Sequence, residues 1–248
     1  MMQIETQLGQ LRLHGMNQSW KALLETRRHN ELSLQEGLEV LLQAEQQDRE
    51  NRRFDRLQKN ARFRYQASVD EIRYDASRGI DKALIARLAT GEYLSRGESV
   101  LVTGATGCGK SFIASALGHQ ACAQGYKVIY FNMQKLLMKT KMSRAEGSIF
   151  KLFERISKTA LLILDDFGLT HLEQQQQLDL MEMIEDRHAK TSTIIASQLP
   201  VSSWFDVIGE ETIADAILDR LVHTSHRLEL NRRKSMKKTV ILSRFRVH

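Results

Sequence analysis

A chain of 248 residues with 42% hydrophobic residues and a formal net charge of +6 has room for one large domain, or for one domain and a smaller one. Its two cysteines, Cys108 and Cys122, are too few for a disulfide framework and suit a reducing compartment. The longest clean apolar run, residues 160–164, is far shorter than the roughly 20 residues of a membrane helix, and residues 1–5 do not resemble a signal peptide. We therefore expect a soluble, cytoplasmic protein with no membrane partner.

The first sixty or so residues predict helices and no strand. Apolar side chains recur every three or four positions between residues 6 and 27, which is typical of an amphipathic helix. A second helix is predicted to begin at Ser33, because Ser33 and Glu36 can cap each other's backbone N–H groups. We predict a small all-α domain over residues 1–62. A linker over residues 63–98 would follow, with aromatic side chains set among arginines near its start and one short helix over residues 80–94.

From residue 99 onwards the pattern changes to alternating strands and helices. Short apolar runs, rich in β-branched residues, predict the strands, and the last run is weaker than the others. These runs are residues 100–103, 128–131, 161–164, 193–196 and 227–230. The alternation predicts an α/β domain over residues 99–248, built on a five-stranded parallel sheet that helices cover on both faces.

Residues 104–111 match the phosphate-binding pattern GxxxxGK[ST] without exception. Its glycines let backbone N–H groups turn toward phosphate oxygens at the start of a helix, Lys110 would place its charge on the β and γ phosphates, and the Ser111 hydroxyl would ligate Mg²⁺. A chance match is the alternative, but a predicted strand precedes the loop and an apolar helix follows it. The linker 63–98 would supply the adenine side. The predicted ATP-binding residues are Gly104, Ala105, Thr106, Gly107, Cys108, Gly109, Lys110, Ser111 and Phe112.

Two aspartates follow the predicted strand at residues 161–164. The carboxyl ends of parallel strands meet at one edge of a sheet, so we expect Asp165 beside the phosphate loop, where it would hold Mg²⁺. Asp166 could orient and deprotonate the attacking water. A turn and helix cap is the alternative for such a pair, and the phosphate loop upstream favours the metal interpretation.

Polar residues also end the strand predicted at residues 193–196. In ATPases with an extra strand between the loop strand and the acidic strand, a side chain at this place senses the γ-phosphate. Ser197 or Gln198 could do this here. Plain turn chemistry ahead of Pro200 is the alternative.

A late helix, predicted over residues 214–222, carries Arg220 near its end. An arginine at such a place can reach the γ-phosphate of a neighbouring subunit and stabilise the charge of the transition state. The alternative is an intrachain surface pair with a carboxylate such as Asp215 or Asp219.

Basic residues concentrate at the C-terminal end. From Arg227 onwards, eight lysines and arginines stand against Glu229 alone. This charge predicts either a polyanionic partner or a solvated tail that helps solubility, and charge alone leaves both open.

Taken together, these motifs resemble the AAA+ ATPases of the helicase-loader branch. The segments that carry the resemblance are the phosphate loop, Leu-Asp-Asp-Phe-Gly at residues 164–168, Ser-Gln-Leu-Pro at 197–200 and Ile-Leu-Asp-Arg-Leu at 217–221. The order of segments, with the helical N-terminal part and Ala-Thr-Gly-Glu-Tyr at 89–93, is most similar to IstB-type ATPases of bacterial insertion sequences. The resemblance covers nearly the whole chain.

The resemblance implies an AAA+ core with sheet order 5-1-4-3-2 and an ATPase that self-assembles on duplex DNA with little sequence preference. It implies a transposase as partner, a contact role for the helical domain, and Arg220 as the arginine finger. Residues 133–156 occupy the place of a DNA-tracking helical insertion, for which a solvated amphipathic helix is the alternative. The implied DNA-contacting residues are Lys135, Lys139, Lys141, Arg144 and Lys151.

The chain departs from the AAA+ pattern in two places. Many members have glutamate where Asp166 stands, and the shorter side chain predicts slow hydrolysis. The chain also ends about eighteen residues after the last predicted strand, so we expect no full lid domain.

Two other functions compete with a transposition ATPase. A replicative helicase loader would share the fold and act on a protein ring. A P-loop small-molecule kinase would share only the phosphate loop, and it usually lacks the polar sensor strand and the late arginine.

Overall fold

The computed structural model describes residues 2–74 and 79–231. It divides into two compact units, a helical unit (Met1–Leu57) and a sheet unit (Gln58–His248). The basic residues beyond Arg227 and the segment on which the expected absence of a lid depends, residues 232–248, lie outside the described residues. Within the described residues, no helix combines the length and the apolar character that crossing a membrane requires.

The helical unit contains α1 (Met2–Gln10), α2 (His14–Glu25) and most of α3 (Leu34–Ala61). The single helix predicted over residues 6–27 is in fact two, because Arg12 takes a left-handed conformation with φ of 58° between them. Buried Glu45 of α3 accepts N–H bonds from Gly15 (2.9 Å) and Met16 (3.2 Å) and so satisfies the first turn of α2.

The capping box at the start of α3 is present as predicted. The backbone N–H of Ser33 donates to Glu36 Oε2 at 2.8 Å, and the N–H of Glu36 donates to Ser33 Oγ at 3.3 Å. Both bonds satisfy N–H groups that an uncapped helix would leave without a partner.

Two short helices, α4 (Lys82–Ala89) and α5 (Glu92–Arg96), replace the one predicted over residues 80–94. Asp81 caps α4 by accepting N–H bonds from the next turn. Gly91 separates the two helices with φ of 82°, a conformation that glycine adopts without steric cost.

Five parallel strands form one sheet in the order β2-β3-β4-β1-β5, which is the order expected from the family resemblance. The strands are β1 (Ser99–Gly104), β2 (Val128–Asn132), β3 (Leu161–Phe167), β4 (Ser192–Ser197) and β5 (Ser225–Leu230). The weak apolar signal of β5 has a simple cause. Within the part of the chain that the structure describes, it is an edge strand that pairs with β1 alone, and Leu228 and Leu230 are its only deeply buried residues.

Helices pack against both faces of this sheet. On one face Leu162 and Leu164 of β3 join a core with side chains of the later helices. On the other face Ile163 lies under α6, so close that a Cβ on Gly118 would meet its Cδ1 at 2.8 Å. The helices of this unit after α5 are α6 (Lys110–Ala123), α7 (Met133–Ala145), α8 (Ile149–Ser157), α9 (Gln174–Arg187), α10 (Trp204–Ile208) and α11 (Glu211–Val222).

Candidate nucleotide site

The phosphate loop joins β1 to α6, as its sequence predicts. Gly104, Gly107 and Gly109 all have positive φ, at 143°, 83° and 95°. A Cβ on Gly104 would lie 2.3 Å from the Leu230 carbonyl oxygen of β5, so this position has no room for a side chain. The loop therefore ends at the N-terminus of a 14-residue helix, where free backbone N–H groups favour an anion.

Lys110 is the first residue of α6 and is mostly buried. Its ammonium donates to the Ala105 carbonyl oxygen at 2.9 Å, so the charge of Lys110 lies against the phosphate loop. Burial lowers the pKa of Lys110, although Cys108 and the two aspartates of β3 favour its charged form. A phosphate group in the loop would supply the anionic partner for this charge.

Asp165 lies beside the loop, where the sequence places it. Its fully buried carboxylate accepts a hydrogen bond from Ser111 Oγ at 2.9 Å, although 54 positions separate the two residues. The same oxygen, Oδ1, accepts the backbone N–H of Asp166 at 2.9 Å. The Tyr130 hydroxyl donates to the other oxygen, and burial together with the nearby carboxylate raises the pKa of Tyr130.

These ligands suit the metal that the sequence predicts. Ser111 and Asp165 offer two hard oxygen atoms at hydrogen-bonding distance from each other, beside a loop shaped for phosphates. Mg²⁺ is held in proteins by one or two such oxygens together with substrate phosphates and water. The described residues contain no separate cluster of three or more histidine, cysteine or acidic side chains that could hold a metal.

A bulge in β3 sets the direction of the Asp166 side chain. Pairing with β4 runs from Leu164 with Ile195 to Phe167 with Ser197, so the strand gains one residue at the aspartate pair. Asp166 there has φ of 56°, which aspartate tolerates better than most residues. In a regular strand successive side chains point to opposite faces, whereas this bulge lets both carboxylates approach the same guanidinium.

The end of β4 meets the phosphate loop through Gln198. Thr106 Oγ1 of the loop donates to Gln198 Oε1 at 2.7 Å. Ser197 has a different environment: it is buried, its hydroxyl donates to the Phe167 carbonyl oxygen at 2.8 Å and accepts the Leu199 N–H at 3.1 Å. Of the two sensor candidates, Gln198 is therefore the one whose side chain reaches the loop.

Arg220 lies on α11 and bonds within its own chain. Its Nε pairs with Glu185 of α9, and its Nη1 donates to the Ala216 carbonyl oxygen at 2.8 Å. The partner is thus neither Asp215 nor Asp219, which the sequence suggested. Glu185 is 52% exposed, so the pair lies near the surface. Arg220 and Arg227 also border an open cleft of about 760 Å³.

Arg187, the last residue of α9, lies in the core and not at the surface. Its guanidinium donates to the carbonyl oxygens of Ile156, Thr159 and Ser192 and to Thr193 Oγ1. Burial lowers its pKa to about 9. This arginine joins β4 to the end of α8 and cannot reach another subunit.

The five predicted DNA-contacting residues do not form one group. Lys135 and Lys139, one turn apart on α7, are exposed and border the same cavity of about 630 Å³. Lys141 of α7 and Lys151 of α8 are also exposed, but they do not border this cavity. Arg144 is bound to buried Asp179 of α9, through Nε at 3.0 Å and through Nη2, so it connects two helices.

Sequence reasoning missed three residues of this site. Tyr130 and Asn132 lie on β2 and bond Asp165 and Asp166. Arg64 comes from the segment after α3 and forms ion pairs with both aspartates. The polar end of β2 and the arginines among aromatics near residue 63 were the available signals, but neither indicates its partner.

The family model described as IstB-like ATP binding protein matches residues 6–242. The insertion sequence ATP-binding protein y4pL of Sinorhizobium fredii is 39% identical over 224 residues, which is 90% of this chain and 91% of that protein. The insertion sequence IS1162 ATP-binding protein of Pseudomonas fluorescens is 39% identical over 199 residues, 80% of this chain and 86% of that one.

Among solved structures, the DnaC helicase loader is similar with a TM-score of 0.56 and 19% identity, over 66% of this chain and 97% of that one. DnaI is similar with a TM-score of 0.58 and 17% identity, over 67% and 92%. At these identities the likeness shows the fold alone, and that fold is the AAA+ fold that the motifs predict. The match over residues 6–242 and the 39% identity to the two insertion sequence proteins establish that this chain belongs to the IstB-like ATP binding protein family.

Proposed function

We propose that this protein is an ATPase that binds ATP at the phosphate loop, assembles through ATP on duplex DNA and assists a transposase during transposition. The observation that carries the proposal is the contact of Ser111 with Asp165 beside a complete phosphate loop. A chance glycine loop has no reason to meet a buried carboxylate 54 positions away. The relatives' names, which place them in insertion sequences, supply the link to transposition.

Each described side chain has a defined part in this proposal. Lys110 binds the β and γ phosphates, and Ser111 and Asp165 hold Mg²⁺. When bound, the metal neutralises charge on the phosphates. Asp166 orients the attacking water and accepts its proton. Gln198, already in contact with the loop, senses the γ-phosphate.

Assembly requires a residue from a second copy. Arg220 would leave Glu185 and bind the γ-phosphate held by a neighbouring subunit, so that ATP joins two copies. Lysines of α7 would then sum weak phosphate contacts along the DNA, with little sequence preference and strong salt dependence.

The experiment is assembly on random-sequence duplex DNA, followed by sedimentation with ATP, with a non-hydrolysable analogue and with ADP. We expect oligomers on DNA with the first two and dispersal with ADP. A second arm adds a purified transposase from an insertion sequence of this family and measures strand transfer with and without ATP. Equal assembly in all three nucleotide states would contradict the proposal.

A helicase loader is the second candidate, favoured only by the shared fold with DnaC and DnaI. Binding of a purified replicative helicase, in place of assembly on bare duplex DNA, would select it. A small-molecule kinase is disfavoured because Gln198 lies against the phosphate loop, where a kinase would need room for its substrate and lid.

A further inference from the structure

Arg64 contacts the two aspartates of the site. Its Nη1 lies 2.9 Å from Asp166 Oδ2 and 3.5 Å from Asp165 Oδ2. Asp165 is fully buried and Asp166 partly so, whereas the Arg64 side chain is 46% exposed. One guanidinium at the mouth of the site therefore pairs with both carboxylates.

A fixed segment presents this arginine. The ring of Phe63 packs on His119 of α6 with centroids 4.1 Å apart, and a Cβ on Gly118 would lie 2.5 Å from Phe63 Cε1. His119 Nε2 bonds the Tyr65 carbonyl oxygen at 3.1 Å. The residues on both sides of Arg64 are thus anchored on the helix that begins in the phosphate loop, and this fixes the point from which the half-exposed Arg64 side chain reaches the aspartates.

The carboxylate pair needs a cation. Two adjacent carboxylates, one of them fully buried, repel each other and lose hydration, so their charged forms require compensation. Arg64 supplies it here, together with hydrogen bonds from Tyr130, Asn132 and Ser111.

A metal held by Ser111 and Asp165 would need the same carboxylate. Every oxygen of Asp165 already has two partners: Ser111 and the Asp166 N–H on Oδ1, and Tyr130 and Arg64 on Oδ2. A guanidinium and a divalent cation at one carboxylate repel each other and compete for its negative charge.

We infer that Arg64 is a positioning residue that neutralises Asp165 and Asp166 in the nucleotide-free protein and withdraws when Mg²⁺ enters with the nucleotide. This inference rests on the proposed function. It means that Arg64 opposes the metal, so the protein with Arg64 needs more Mg²⁺ to bind nucleotide than the protein without it. The arginine keeps the two carboxylates ordered and prevents metal binding without nucleotide.

The test measures the Mg²⁺ concentration at half-maximal binding of a fluorescent, non-hydrolysable ATP analogue to the full chain. We expect Arg64→Gln to lower this midpoint by about three- to tenfold, the effect of removing a half-exposed ion pair. Arg62→Gln is the matched control, because exposed Arg62 borders the same cavity and its loss changes the net charge equally. We expect its midpoint to stay within about twofold of the wild type, since exposed charges are screened.

Arg64→Lys is a second variant that keeps the charge but loses the planar fork, and its midpoint should fall between those of the wild type and Arg64→Gln. An unchanged or raised midpoint in Arg64→Gln would overturn the inference. Equal shifts in both glutamine variants would overturn it too, because they would reflect net charge alone. Weaker binding of the analogue at saturating Mg²⁺ would show instead that Arg64 contacts the nucleotide.

A second measurement separates this inference from the proposed function. A wild-type protein that binds no analogue at any Mg²⁺ concentration contradicts the proposed function. Mn²⁺ binding without nucleotide, followed by electron paramagnetic resonance, still tests Arg64 in that case. Tighter Mn²⁺ binding by Arg64→Gln than by Arg62→Gln supports the inference, and equal binding overturns it.

Discussion

The predicted site residues at the carboxyl edge of the sheet contact one another, whereas the predicted arginine of α11 pairs with a residue outside the site. At the sheet edge, side chains up to 92 positions apart meet at distances of 2.7 to 2.9 Å. On α11, Arg220 instead turns to Glu185 within its own chain. One chain can bring together only the residues that act within it. A residue that completes a site in a second copy is therefore expected to hold a substitute partner, and an exposed, replaceable carboxylate is a suitable one.

The largest effect on turnover is expected from Arg220→Ala. If Arg220 acts in a neighbouring subunit, ATP turnover should fall by about 10³-fold or more, because the transition-state charge loses its partner. ATP affinity of the monomer should change little, and assembly on DNA should be lost. Turnover assays and sedimentation with ATP and DNA measure both effects.

Two controls separate a trans role from a local ion pair. Glu185→Ala removes the substitute partner and should leave turnover intact or raise it. Mixing Arg220→Ala with Lys110→Ala should restore part of the activity, since one mixed interface contains an intact loop and an intact arginine. Normal turnover in Arg220→Ala would mean that the pair with Glu185 is its whole role.

At the sheet edge, the largest effect on turnover is expected from Asp166→Asn. The amide keeps the size of the side chain but cannot accept the proton of the attacking water, so turnover should fall by about 10²- to 10⁴-fold. Ser111 and Asp165 remain, so ATP should still bind with Mg²⁺. Binding and single-turnover hydrolysis distinguish the two steps, and unchanged hydrolysis would assign the base to another residue.

Lys110→Ala should act on binding instead. Removing a buried, charge-assisted contact to phosphate should lower the affinity for ATP by about 30- to 1000-fold. Because burial lowers the pKa of Lys110, affinity should also decline as the pH rises into a range where an exposed lysine is still charged. Titration of a fluorescent ATP analogue measures both. Lys127→Ala, at an exposed position before β2, is the control, and equal losses in both variants would contradict the assignment.

The sequence predicted the parts of the site that local chemistry determines. A phosphate loop encodes its own conformation in its glycines, and an apolar strand that ends in aspartate places its carboxylate at the sheet edge. The order of the strands followed from the family resemblance, because pairing between distant strands has no local signature.

The missed features depend on tertiary packing. Arg64 meets Asp166 across 102 positions, and no spacing in the sequence predicts that pair. The β3 bulge depends on how Asp165 and Asp166 are held by both neighbouring strands. Arg144 looked like the lysines near it, yet it lies over buried Asp179 of another helix.

The smallest predicted effect concerns DNA binding by α7. Lys135 and Lys139 share one side of α7, so they can contact neighbouring phosphates together. The double variant Lys135→Gln, Lys139→Gln should weaken binding to all duplex sequences alike. The slope of log affinity against log salt should become shallower by about 2, roughly one unit for each lost phosphate contact.

Two variants complete this test, with affinities measured by fluorescence anisotropy from low to moderate salt. Lys127→Gln with Lys190→Gln removes the same charge from exposed positions outside α7, and its slope should match the wild type. If the slope of log affinity against log salt becomes shallower by the same amount in both double variants, DNA binding depends on net charge alone and α7 has no special role. Arg144→Gln should behave differently again. Its guanidinium is bound to Asp179, so its loss leaves this buried carboxylate without its ion pair, although the Gln175 amide still donates to it at 3.1 Å. The variant should therefore lower thermal stability more than DNA affinity.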